Sequence, residues 1–163
     1  MNPLRDRSSD TKLPPLCITM ASDGTADMAV ILLQAQLHEH EIETPAELLR
    51  AVVTQVLADS RAGFILLAGR DGEALGIAYA AAHLSAEHGG TIGWLEELYV
   101  VPAQRGGGVG SALLDAVIAR AAELQWRALE LEVVAGHERA VPLYVRHGFA
   151  AASRARFTRL LVD

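Results

Sequence analysis

Four glycines interrupt the chain at Arg105-Gly106-Gly107-Gly108-Val109-Gly110-Ser111, between an apolar stretch ending in Val100-Val101 and a segment of helical periodicity. Glycine lets a backbone turn through positive φ and brings it close to a ligand, and the unpaired N–H groups at a helix start attract anions, phosphates above all. The run therefore points to a phosphate-bearing ligand. Just upstream stand two adjacent acids, Glu96 and Glu97. In a strand, neighbouring side chains leave by opposite faces, so only one of the two is expected to look into a cleft on a given face.

Three kinds of phosphate loop compete for the glycines. The Walker type is excluded, because no Gly-Lys-Ser/Thr follows them. The dinucleotide loop is partly mimicked by Gly106-Gly107-Gly108-Val109-Gly110-Ser111, with Glu130 at about the distance of a ribose-binding acid. Against it, Ser111 stands where a third small residue belongs, Pro102 intrudes between strand and loop, and too little chain follows for the usual parallel strands. His38-Glu39-His40 lacks a third ligand and helix-face spacing, so no metal is expected.

The elements that must position these residues follow from periodicity. Leu16–Met20 suits a strand, and Ala26–His38 a helix with Met28, Leu32, Ala35 and Leu37 on its apolar face. Glu39, Glu41 and Glu43 form an acidic loop that could attract a cationic amine or simply be solvated. Thr44-Pro45-Ala46-Glu47 has a capping-box pattern ahead of a helix through Leu57. Phe64–Ala68 and Leu75–His83 make a hairpin, Thr91–Val101 a further strand, and Val109–Gln125 a helix with Val109, Leu113, Ala116, Val117, Ala121 and Leu124 at core spacing. The glycines thus fall in a β-to-α connection. A strand over Ala128–Val134, a short helix over Arg139–His147 ended by Gly148, and final strands over Phe149–Ala152 and Phe157–Val162 complete the pattern.

At 163 residues and 51% hydrophobic, the chain can bury one core, so a single domain over residues 16–163 is expected behind a loose polar tail at 1–15. The formal charge of -6, with no long Lys/Arg run, argues against nucleic acid or an anionic membrane as partner and favours an amine. A lone cysteine, Cys17, rules out an intrachain disulfide and suits a reducing cytoplasm. No apolar run is long enough to span a membrane.

Arg105-Gly106-Gly107-Gly108-Val109-Gly110 matches the Arg/Gln-x-x-Gly-x-Gly/Ala loop of the GNAT N-acetyltransferase superfamily, which the chain resembles over most of Leu16 to Leu161. Glu96-Glu97-Leu98-Tyr99-Val100-Val101-Pro102 and Ala140-Val141-Pro142-Leu143-Tyr144-Val145-Arg146-His147-Gly148-Phe149 sit at the family's positions, and the spacing is most similar to spermidine/spermine-type acetyltransferases. The resemblance implies an α/β (α+β) fold, with a mixed sheet of roughly six to seven strands, about four helices, and two strands that splay after Val100 and Val133. It implies acetyl-CoA as cosubstrate, held by Arg105 to Ser111 and by the strand edge at Leu98, Tyr99 and Val100, where a bulge would free an oxyanion donor. A small-molecule amine is the implied acceptor, a protein lysine or N-terminus and a turnover-free CoA-binding regulator are the alternatives, and dimerisation, common in the family, has no residue of its own here.

An amine with a pKa of about 10.4 must lose a proton before it attacks a thioester. The family implies Glu96 as the general base, with Glu97 as the other candidate, and Tyr144 as the acid that protonates the departing thiolate. His137 stands where the family commonly carries a CoA-binding asparagine; it can still donate a hydrogen bond, but its length and charge differ.

Overall fold

A computed structural model of the protein describes residues 14–161, so the expected tail over 1–15 lies outside the described residues except for Pro14 and Pro15. The elements run β1 (Cys17–Met20), α1 (Ala26–Glu39), α2 (Ala46–Ala58), β2 (Gly63–Arg70), β3 (Glu73–Ser85), β4 (Gly90–Val100), α3 (Val109–Glu123), β5 (Leu129–Leu131) and α4 (Val141–Arg146). Strands β1 to β4 pair in chain order and antiparallel, and β5 adds parallel to β4, giving a mixed α+β sheet. The chain divides into two compact units, one through Leu131 and one from Glu132 onward.

In the first unit, helices cover both faces of the sheet. Residues Gly63 to Ala68 of β2 are buried without interruption, which is why the strand is apolar over that stretch and does not alternate. On one face Ala29, Val30, Leu32 and Leu33 of α1 and Leu49, Val53 and Val56 of α2 pack with Ile65, Leu67, Ile77 and Tyr99; Met28, Ala35 and Leu37 lie partly buried at the margin of that cluster. Helix α3 buries Val109, Leu113, Leu114, Val117 and Ala121, a stripe at helical spacing, and packs on β2, β3 and β4. It comes close to β3 at Gly76, where an added Cβ would stand 2.5 Å from the Tyr99 carbonyl oxygen and 3.1 Å from Leu113 Cδ1. The absence of a side chain at Gly76 therefore sets α3, and the loop that feeds it, against the end of β4.

The capping box at Thr44 does not form: Pro45 is the N-cap of α2, with no side-chain cap, and its carbonyl accepts the N–H groups of Leu48 and Leu49. Strand β5 is only Leu129–Leu131, shorter than the expected Ala128–Val134. The two final strands are absent among the described residues, leaving five strands in place of six to seven. A strand is stabilised by packing one face, and here Phe157, Leu160 and Leu161 remain exposed.

The second unit is short and helical. A 3-10 turn at Glu138–Ala140 runs into α4, a break in what periodicity gives as one helix from Arg139 to His147. Gly148, at φ 86°, ends α4 as expected, and the Phe149 N–H reaches back to the Tyr144 carbonyl at 3.1 Å, a Schellman-type closure. Arg156 Nη1 donates to Glu132 Oε2 at 2.6 Å.

Candidate active site

The ladder between β3 and β4 slips by one residue. Ala80 faces Leu95 and Tyr79 faces Glu97, so Glu96 is the extra residue of a β-bulge. The bulge breaks the alternation that would send the two carboxylates to opposite faces. Downstream of it Glu97 stands opposite Tyr79 and on the same face as Tyr99, part of the core under α1 and α2, while Glu96 is exposed. Burial, and then the negative charge of Glu96, raise the half-buried Glu97 carboxyl from an ordinary 4.5 to about 7. The Tyr79 phenol, which no motif singles out, is pushed up by the same two causes in the same order.

On its other edge β4 pairs with β5 only at Gly93, Trp94 and Leu95. The two strands part before Glu96, earlier than the expected separation after Val100 and Val133, and β5 does not extend over Glu96 to Val100. The Val101 N–H donates to the Leu75 carbonyl at 2.9 Å, toward β3. Because successive backbone groups in a strand point to opposite edges, Leu98 and Val100 turn their N–H groups toward the edge that β5 has left. The bulge expected near the end of this strand is the one at Glu96.

A 3-10 turn at Pro102–Gln104 carries the chain from β4 to Arg105 and the glycines. Gly106 and Gly108 have φ of 77° and 86°, a conformation that costs other residues about 1–2 kcal/mol. A Cβ at either would meet nothing within 4 Å, so the backbone turn, not crowding by the protein, requires glycine there. Gly108 is the N-cap of the 15-residue α3 and offers no side-chain cap. The N–H groups at Val109, Gly110 and Ser111 thus belong to the first turn, at the positive end of a helix, with Gly107 beside them, an arrangement that fits a pyrophosphate.

Arg105 does something else with its side chain. Its Nη2 donates to both carboxylate oxygens of Glu39, at 2.7 and 2.8 Å, and its Nε donates to the Val100 carbonyl at 2.9 Å. The guanidinium lies 5.5 Å from the Tyr99 ring centroid. Glu39, read in the sequence as part of an acidic loop, is the last residue of α1 and is engaged with a cation 66 positions away. Of the remaining acids there, Glu43 accepts from His38 Nδ1 at 3.1 Å.

The other two candidate residues belong to the second unit. Tyr144 is half-buried on α4, edge-on to Phe149 with ring centroids 5.9 Å apart. His137 precedes the 3-10 turn, its N–H donating to the Val134 carbonyl and its own carbonyl accepting from Ala140.

A sequence model described as the Acetyltransferase (GNAT) family matches residues 28–149. The chain belongs to the GNAT acetyltransferase family. It is accordingly an acyltransferase, and its fold is that of solved relatives. An integron cassette protein, HFX_CASS3, from the mobile metagenome of Cole Harbour Salt Marsh superposes with a TM-score of 0.80 at 25% identity, over 90% of this chain and 91% of that one. A predicted acetyltransferase from Clostridium acetobutylicum, solved with acetyl-CoA, gives 0.76 at 19% identity over 90% and 97% of the two chains. The aminoglycoside N-acetyltransferase AAC(6')-Iy in complex with CoA gives 0.76 at 19% identity over 91% and 96%. No curated protein matches this sequence. Among its described residues, no helix is long and apolar enough to cross a membrane, and no group of three or more His, Cys, Asp and Glu side chains is placed to hold a metal ion.

Proposed function

We propose that this GNAT enzyme moves the acetyl group of acetyl-CoA to a primary amine of a small, cationic molecule in the cytoplasm, by direct attack of the amine on the thioester. The observation that carries the reading is the bulge at Glu96. It sets a half-buried carboxyl with a pKa of about 7 in the strand that leads directly into an uncapped glycine loop and helix start. A general base works best when its pKa lies near the working pH, and an ordinary glutamate at 4.5 would hold a proton too weakly.

The acid pair acts as one unit in this scheme. Glu97 accepts the proton of the incoming ammonium, and Glu96, by its charge, keeps Glu97 basic enough to do so. Backbone N–H groups of Leu98 and Val100 receive the negative charge that grows on the acetyl oxygen; one such donor is worth about 3–4 kcal/mol in other enzymes. Tyr99 contributes packing beneath the same strand. Gly106 to Ser111 hold the pyrophosphate through their N–H groups, His137 donates to the cofactor in place of an asparagine, and Tyr144 protonates the departing thiolate. The net charge of -6 favours a cationic acceptor over an acidic one, and polyamines lead the candidates because the sequence spacing resembles enzymes of that type.

The test is release of free CoA thiol across polyamines, amino acids, aminoglycosides and peptides. Turnover with a small amine supports the reading. Turnover with peptides alone moves the acceptor to proteins, and CoA binding without turnover of any acceptor makes the chain a regulator.

A further inference from the structure

We propose that Glu39 is a positioning residue for the cofactor loop: it holds the Arg105 guanidinium so that Arg105 fixes the entry of the glycine run and is withheld from the pyrophosphate itself. This rests on reading that run as the CoA loop. The guanidinium is committed in three directions at once, to the Glu39 carboxylate through Nη2, to the Val100 carbonyl through Nε, and to the face of Tyr99. An arginine fork fixed at two edges and stacked on a ring has little rotational freedom left. Both partners lie at the surface and are only partly shielded, with side chains 35% and 30% exposed.

The need for such a strut follows from the loop's composition. Gly106 and Gly108 have no side chains to pack, and a Cβ at either would touch nothing within 4 Å, so contacts at those positions do not restrain the loop. Unrestrained glycines lose the most conformational freedom when a ligand orders them. Arg105 is the residue immediately before Gly106, and anchoring it to α1 and β4 removes part of that freedom before the ligand arrives. The anchor is also placed where a cation is favoured, at the negative C-terminal end of α1.

The competing assignment, in which the Arg105 guanidinium contacts phosphate directly, makes the opposite prediction. In that case Glu39 competes with the ligand, and neutralising it would tighten binding. The experiment is calorimetric titration of the full-length protein with CoA, alongside initial rates with acetyl-CoA as the varied substrate. Glu39→Gln is expected to weaken CoA about fivefold, the scale of a well-formed, partly exposed ion pair, with kcat falling by less than the affinity. Arg105→Gln should do the same, and the double variant should be no worse than either single one. Arg105→Lys keeps the charge but loses the fork, so it should resemble Arg105→Gln; wild-type affinity in that variant assigns the side chain to phosphate and overturns the proposal, even if Glu39→Gln fails to fold. Unchanged or tighter binding by Glu39→Gln also overturns it. If the wild-type protein binds no CoA, the reading of the loop falls together with the strut; if it binds and only the Glu39 effects are missing, the loop stands and the strut falls.

Discussion

Replacing Glu97 with glutamine should make the protein more stable and less active, and the gain in stability should depend on pH. The carboxyl titrates at about 7 in the fold against 4.5 in an unfolded chain, so the native state binds the proton more tightly. The unfolded state then carries fewer protons between these two values, and stability falls as pH rises through that window. A shift of roughly 2.5 units at 1.36 kcal/mol per unit sets a ceiling of about 3 kcal/mol for the cost of a charged Glu97 at pH 8, and of under about 1 kcal/mol at pH 5. Solvent reaching a half-buried side chain reduces this, so roughly 1–2 kcal/mol is expected at pH 8. Urea unfolding of the wild type and Glu97→Gln at pH 5 and pH 8 measures it. In parallel, the wild-type kcat/KM should rise with pH through about 7, and this limb should vanish in the variant, with a loss of about 100-fold or more. Equal stability differences at the two pH values, or a variant less stable at pH 8, would refute the desolvation argument; a surviving limb near pH 7 would remove Glu97 as the base.

Three further outcomes can be checked on the same material. Glu96→Gln removes the second cause of the Glu97 shift, so the activity limb should move to lower pH and not disappear; if activity is abolished while Glu97→Gln remains active, the base is Glu96. Tyr144→Phe should lower turnover by about 100-fold to 10,000-fold while the KM for acetyl-CoA stays near its wild-type value, as measured by thiol release. Gly108→Ala forces a side chain into φ 86° at the start of α3 and should destabilise the fold by about 1–2 kcal/mol and weaken CoA binding, read by thermal melting and calorimetry.

What could be read in the sequence was whatever contiguous residues encode. The hairpin of β2 and β3, the helix α3 and the glycine turn each announce themselves within about fifteen residues, through period, punctuation and a shared apolar stripe. The family resemblance implied a bulge, but its position at Glu96 could not be read from the residues, because it is a relation between Leu95, Glu96 and Glu97 on one strand and Tyr79 and Ala80 on another, and nothing in either strand states the register. Glu97 gains its raised pKa only through that register. The pairing of Glu39 with Arg105 joins residues 66 positions apart, and local charge patterning offered for Glu39 only a solvated loop or the attraction of a cationic amine. At the C-terminal end the error ran the other way: Phe157 to Leu161 have strand-like composition, but apolar residues form strands only where there is something to bury them against.

The bulge also separates what the sheet needs from what it carries. Leu95 pairs with Ala80 and Glu97 with Tyr79, so with Glu96 deleted the two strands would run as a regular ladder, every other partnership intact. The fold would lose nothing it uses; the protein would lose the charge beside Glu97 and the bend that re-aims the strand. Glu96 is in this sense surplus to the architecture, an inserted residue whose removal leaves an ordinary sheet behind. A shortened chain that folds as well as the full one and no longer turns over substrate would separate, in a single residue, the part of the sequence that builds the protein from the part that makes it an enzyme.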